Sequence, residues 1–444
     1  MNKVVFDDGF YEGEIINNQR HGQGIFVYND GNKYEGEWLN DLKHGRGTLF
    51  SKSGNIYDGD WKENEMTGIG KMYFNDDDSK DDFYEGEFLS GKFNGSGKYT
   101  DTYGNIYEGE WLMGLKNGIG KLCFYDGSWY DGAFLNDKKH GKGVFFWEKD
   151  CKYEGDWKED VIDGNGIFYY NKNERYEGEF SNGNRNGRGT YNFSNGDIYT
   201  GNFKNNQRTG NGVFFYNADD EYKNDRYEGE FFGGKFNGKG IYYFNDGTKY
   251  EGEWIDGLKT DKGKYYYNNG DIYAGELLEE KFHGKGTYYF KNGRKYEGDW
   301  LNGKENGIGI FYYENGDRYE GRFSGGFFNG FGIFYYKNGS RYVGEWFKDK
   351  ITGKGVIYYD DYDIIKMNRR KGDIYDGEFL NDKKHGRGVY IKNNGKKYIG
   401  SWKYGKKDGY GIFVNKTGSI QFEYWQNDFD DVDEQTNIPI SCSL

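Results

Sequence analysis

"YEGEWLNDLKHGRGTLFSKSGNI", residues 34–56, holds paired carboxylates, a histidine and a glycine pair close together. That inventory suits a catalytic or metal site. It is also one period of a repeat. With Tyr34 as offset zero, the same tyrosine stands at Tyr11, Tyr57, Tyr84, Tyr107, Tyr130, Tyr153, Tyr176 and Tyr199. It returns at Tyr227, Tyr250, Tyr273, Tyr296, Tyr319, Tyr342, Tyr375 and Tyr398, making 17 copies. Thirteen of the 16 intervals are 23 residues; 57→84, 199→227 and 342→375 are 27, 28 and 33. A worn eighteenth copy keeps its tryptophan at Trp425. A fixed period of this length signals a repeat architecture.

Within the period, offsets 2 and 13 are glycine in every copy, as Gly36 and Gly47. Offset 11 is glycine, as Gly45, except at Asp261, and offset 4 is Trp or Phe, as Trp38, except at Ile15 and Leu277. "YEGEW" alternates with period two, which predicts a strand with Tyr, Gly and Trp on one face and the acids on the other. A polar loop, Gly-x-Gly and a second strand such as "GIFYY" complete one β-hairpin. An Asn-Gly turn, as at Asn269-Gly270, leads to the next tyrosine. Glycine at offset 2 would let a neighbour's ring lie on the backbone. Offset 11 reads as a left-handed turn position, which Asp tolerates better than most residues.

Composition agrees. Aromatics make up 20% of the chain but hydrophobic residues only 35%, so aliphatic side chains are too scarce for one thick core. With 74 glycines and one proline, strands and turns are favoured over helices. The fold expected is all-β: an elongated, single-layer antiparallel array of about 17 stacked hairpins, in which each hairpin covers its neighbour's aromatic face. Residues 1–10 read as a partial strand capping the array and 11–425 as the array itself. The insertions, near 75–82, 217–225 and 360–371, all fall between a second strand and the next tyrosine. Residues 426–444 read as an acidic, disordered tail.

At "YEGEWLNDLKHGRGTLF" the chain resembles the MORN-repeat proteins, whose unit runs Tyr-x-Gly-Glu-Trp, a short loop and His-Gly-x-Gly. Tyr34, Gly36, Trp38, His44, Gly45 and Gly47 carry the match. The resemblance implies a non-enzymatic scaffold for protein–protein assembly. Repeat-only members of the family are scaffolds of the protist cortex and division apparatus; junctophilins and radial spoke head proteins share the repeat. The partners so implied are cytoskeletal or cortical protein, or a second copy of the chain.

The apparent sites read as structure. All five histidines, His21, His44, His140, His283 and His385, sit at offset 10, where other copies carry Asn, Thr or Asp, so they are read as polar turn residues. Acids at offsets 1 and 3 recur in most copies and are read as a solvated face. Gly-x-Gly lacks the third glycine or the Gly-Lys-Ser/Thr ending of a phosphate loop. No cofactor, metal or small-molecule substrate is expected. Net charge −13 argues against nucleic acid. Three scattered cysteines support no disulfide framework, and "MNKVVFDDGF" lacks the apolar core of a secretory leader. The expected setting is cytoplasmic, cortical or peripheral to a membrane, or cytoskeletal, and not secreted.

Offsets 8, 9 and 12 gather cations, with only Glu65 and Glu305 as acids. Lys138, Lys139 and Lys142 form one cluster; Lys383, Lys384 and Arg387 form another. Charge balance is the first reading. Alignment along one edge, facing anionic phospholipid or acidic protein, is the second. A peripheral phosphoinositide-binding module and an axonemal component of radial-spoke type are therefore alternatives to the scaffold.

Overall fold

The computed structural model describes residues 2–75, 81–363 and 368–426. Residues 76–80 and 364–367 of two insertions, and the acidic tail with Cys442, lie outside them. Among the described residues there are thirty-six β-strands and no helix. Two compact units are formed, Met1–Lys223 with Phe231–Gly234, and Asn224–Glu230 with Lys235–Leu444. Within each, strands adjacent in sequence pair antiparallel, so hairpins lie side by side in one layer. This is the all-β array of stacked hairpins that the period predicts. In the Tyr34 copy the hairpin is Lys33–Leu39 and Leu42–Phe50. At the N-terminus Asn2–Phe6 pairs with Gly9–Ile16. In the third insertion Lys350–Asp363 and Asn368–Leu380 lengthen one hairpin, pairing from Asp360↔Lys371 out to Asp363↔Asn368.

Two sequence expectations need correction. The polar loop after the first strand is a two-residue turn: Asn40 (φ 52°) and Asp41 (φ 68°) are both left-handed, as a type I′ turn requires. Gly-x-Gly lies not in a loop but inside the second strand. Gly36 pairs with Gly47 while Trp38 pairs with Lys43, so a bulge holds His44, Gly45 and Arg46 opposite Glu37. The left-handed glycine of offset 11 sits in that bulge, at φ from 55° to 115°. Asn-Gly serves the other connection. Gly270 donates to the Tyr267 carbonyl and Tyr267 to the Asp271 carbonyl, and of the pair Asn269-Gly270 only the glycine has positive φ.

The bulge explains the tyrosine. It takes the offset-3 carbonyl out of the ladder, and the tyrosine hydroxyl of the same repeat donates to it, as Tyr57 to the Asp60 carbonyl at 2.9 Å. This bond is made in every repeat except those of Tyr11 and Tyr250. To reach it, the ring lies flat across the paired glycines of its own hairpin. A Cβ on Gly47 would collide with the Tyr34 ring, and one on Gly36 with the Gly47 backbone. The ring over the glycines is thus the repeat's own, not a neighbour's.

The aromatic face is continuous. Tyr34 meets Trp38 of its own repeat edge-to-face at 5.1 Å and Trp61 of the next at 5.2 Å. Trp61 repeats this with Tyr57, and its Nε1 donates to the Gly47 carbonyl at 2.8 Å. Each edge-to-face pair contributes about 0.5–1.5 kcal/mol beyond the area it buries. The repeat tyrosines are almost wholly buried, in a sheet one layer thick.

Asp261 does not take the left-handed conformation of its sixteen glycine counterparts. Pairing to the next strand begins only at Lys262↔Glu276. The Tyr250 hydroxyl donates instead to the Lys262 carbonyl at 3.3 Å. Asp at this position therefore changes the bulge rather than filling it.

Candidate functional site: the outer face of the repeats

The face opposite the rings carries offsets −1, 1, 3, 5, 8, 12, 14 and 16, because the bulge resets the alternation between offsets 8 and 12. Offset 9 falls on the ring side. Lys43 lies over Tyr28, Tyr34 and Trp61 at 5.3, 5.4 and 4.8 Å. Burial, reinforced by Arg20, pushes its ammonium down to about 8. Where offset 9 is Phe, the ring stacks on the tyrosine instead, as Phe93 on Tyr84 at 3.8 Å and 11°.

The six candidate edge cations are therefore divided between two faces. Lys139 lies over Tyr130, Phe145 and Trp157. Lys384 is buried over Tyr375, Tyr390 and Trp402. Lys138 and Lys142 are outward, meeting Glu159 at 3.5 Å and Asp156 at 2.6 Å. The Lys383 and Arg387 side chains are exposed, and the Arg387 backbone N–H donates to Glu378 Oε1. The signal for the split was in the sequence: offset 9 exchanges Lys and Arg with Phe93, Ile162, Phe236 and Ile351, which only a ring-side position would accept.

The acids are more than a solvated face. The offset-3 carboxylate caps the bulge by accepting the N–H of offset 12: Glu37 from Arg46, Glu179 from Arg188, Asp299 from Ile308. It also meets the offset-12 cation of the preceding repeat, as Asp60 with Arg46 at 3.1 Å and Asp299 with Lys285 at 2.5 Å. Burial works to raise the Asp156 carboxyl, but Lys142 and the Asn165 N–H outweigh it and hold it below the usual range. Cross-strand pairs of this kind balance charge, each contributing a few tenths of a kcal/mol. The histidines sit in the bulge, and among the described residues no cluster of His, Cys, Asp and Glu is suited to a metal ion.

Sequence reasoning missed a row on this outer face. From Tyr289 to Tyr358 every strand contributes one residue to a line of directly paired positions. The order is Tyr289, Lys295, Tyr312, Arg318, Tyr335, Arg341, Tyr358. Lys295 lies 4.2 Å over the Tyr312 ring, Arg318 4.2 Å over Tyr335 and Arg341 4.3 Å over Tyr358. Ile310, Ile333, Val343 and Val356 run alongside. The signal was tyrosine at offset 16 in six successive copies, from Tyr243 to Tyr358, where earlier copies vary.

Among curated proteins none matches the chain. Among solved structures it is similar to the Drosophila melanogaster SAS-4 TCP domain in complex with a proline-rich motif of Ana2. Identity is 13%, over 42% of this chain and 85% of that one, with a TM-score of 0.22. The TCP10 domain of Danio rerio CPAP matches at 9% identity, over 57% of this chain and 97% of that one, with a TM-score of 0.16. PorZ of Porphyromonas gingivalis matches at 11%, over 93% and 72%, with a TM-score of 0.11. Overlaps this low carry no argument about function. MORN repeats are protein- or lipid-interaction modules. The MORN repeat model matches seventeen segments running from residues 11–33 to 398–420, and the chain belongs to the MORN-repeat family.

Proposed function

We propose that this chain is a non-enzymatic scaffold for protein–protein assembly that links cytoskeletal structures to a membrane from the cytoplasmic side. One observation carries the reading: the recurring polar groups have counterparts with the same structural task in other repeats. Among the described residues only buried Glu305, at a ring-side position held elsewhere by Lys, Arg, Phe, Ile or Met, departs from this. The offset-3 carboxylates cap bulges, the tyrosine hydroxyls hold freed carbonyls, and the histidines share one position. Such a chain offers partners a repeated surface and a reaction no distinctive constellation. Fluorescent tagging, with cross-linking and affinity capture, tests the proposal. A cortical or division-ring pattern with captured cytoskeletal protein is expected. A diffuse distribution with nothing captured overturns it, and an axonemal pattern favours the radial-spoke alternative.

The phosphoinositide reading rests on the cations that face outward, Lys138, Lys142, Lys383 and Arg387. Its test is flotation with liposomes containing phosphoinositide, against the variant with all four changed to Glu. Binding that survives the change removes this reading and leaves the scaffold untouched.

A further inference from the structure

We infer that the Tyr289–Tyr358 row is a docking surface for an acidic, proline-rich segment of a partner protein in polyproline II conformation. This deepens the scaffold reading by naming the chemistry of one partner. Its test is made on the purified chain and does not depend on where the chain acts in the cell.

Three properties of the row select that ligand. The first is polarity. Neither hydroxyl nor cation in this row needs a ligand to complete the fold, yet all are donors. Tyr243 and Tyr266, earlier in the same row, donate to Glu228 and Glu251 at 3.3 and 3.2 Å. The hydroxyls of Tyr289, Tyr312, Tyr335 and Tyr358 make no bond to the described protein. Polyproline II has no internal hydrogen bonds, and proline lacks an N–H, so such a ligand presents carbonyl acceptors almost exclusively. A row rich in donors, three of them cations that cannot accept, matches a ligand that offers mostly acceptors.

The second is charge. Lys295, Arg318 and Arg341 alternate with the tyrosines, and the row itself contains no Asp or Glu. Lys295 and Arg318 each meet one adjacent carboxylate, Glu297 at 3.0 Å and Glu320 at 2.9 Å. Arg341 is exposed, has no carboxylate partner among the described residues and marks the strongest anchor for an acidic side chain. An arginine has five N–H donors, so stacking on Tyr358 leaves its fork available for a carboxylate.

The third is shape and period. The tyrosines are half-buried or exposed. Ile333, Val343 and Val356 form a continuous aliphatic strip beside Tyr335 and Tyr358, Glu320 separates it from Ile310, and exposed Ile308 and Phe331 lie at the margin. Aromatic rings next to an aliphatic strip form the surface on which proline rings dock. Equivalent positions two strands apart recur roughly every 10 Å. Polyproline II repeats every three residues, or about 9.3 Å. One side of such a ligand therefore returns at nearly each tyrosine. The chain has one proline, so it cannot supply this ligand to itself or to a second copy.

The fold does not require the row. Offset 16 holds Phe50, Thr100, Cys123 and Asn192 in earlier repeats with the same hairpin.

The experiment uses the full chain and a fluorescein-labelled (Pro-Pro-Glu)4 peptide, about 37 Å long at about 3.1 Å per residue. Fluorescence anisotropy is expected to show saturable binding that (Gly-Ser)6 and (Pro-Pro-Lys)4 do not. The pair Tyr312→Ser and Tyr335→Ser should weaken it by about tenfold or more. Arg341→Glu should weaken (Pro-Pro-Glu)4 and admit (Pro-Pro-Lys)4; this exposed change keeps the test decisive if the tyrosine pair fails to fold. Absence of binding, equal binding of (Gly-Ser)6, or affinity unchanged in both variants overturns the proposal. So does tighter binding of a twelve-residue oligothymidine, which would assign the row to single-stranded nucleic acid.

Discussion

Alkali should unfold this protein in one steep step, because the residues it attacks are those each repeat is built around. Tyr199, Tyr250 and Tyr398 are 0%, 0% and 2% exposed, and burial pushes each hydroxyl up to about 12. The other repeat tyrosines are raised too, most of them further, by burial and then by nearby carboxylates. A folded-state pKa above the unfolded value of 10.0 gives stability that is complete below pH 10. It is lost as pH rises toward the folded value. A shift of two units amounts to about 2.7 kcal/mol per tyrosine, or about 8 kcal/mol for these three, against the ~5–15 kcal/mol that holds a typical domain. At pH 11 each repeat tyrosine other than Tyr11 has lost about 1.4 kcal/mol, and the eight such tyrosines of each compact unit together lose about 11 kcal/mol, comparable with that reserve. The buried hydroxyls should therefore ionise by unfolding, between roughly pH 10 and 11. Tyrosinate absorbance and far-UV circular dichroism, followed together against pH, provide the assay. Coincident steep transitions are expected. Smooth ionisation of the whole tyrosine population with the β-sheet signal intact would refute the reasoning.

Three further outcomes are expected. Trp61→Ala removes a ring that is 3% exposed, its edge contacts with Tyr34 and Tyr57 and its bond to Gly47. It should cost about 3–5 kcal/mol, read as lost hydrogen-exchange protection centred on residues 34–73. Glu179→Ala should cost about 1 kcal/mol by uncapping the Arg188 N–H, and Glu179→Gln should recover most of it in thermal melts. Asp261→Gly should stabilise by about 1 kcal/mol, by restoring the glycine bulge and the tyrosine–carbonyl bond of the other repeats; a lower melting temperature would contradict the account of Asp261.

The hairpin was legible because its ring face and its glycines recur at fixed offsets. The bulge was not. Strand alternation read through Gly-x-Gly without an extra residue misplaces everything between offsets 8 and 12. That is why Lys139 and Lys384 read together with Lys138, Lys142, Lys383 and Arg387 although they lie on the ring side. In the sequence the acids read as one solvated pair, whereas offset 3 caps a bulge that no local pattern announces. The tyrosine row was visible in the letters, but its alternation with Lys and Arg appears only when strand register sets offset 16 beside offset −1.

The bonds of each hairpin reach only to the adjoining ones, and this fixes the grain in which such a gene can lengthen or shorten. Excising one whole period of 23 residues brings together surfaces that already fit. Losing 22, with the missing residue taken from within a strand, would turn the side chains between that point and the next turn to the wrong side. Spare residues are accommodated where this chain carries them, between a second strand and the next tyrosine. Inheritance can therefore count this protein's length in whole rungs.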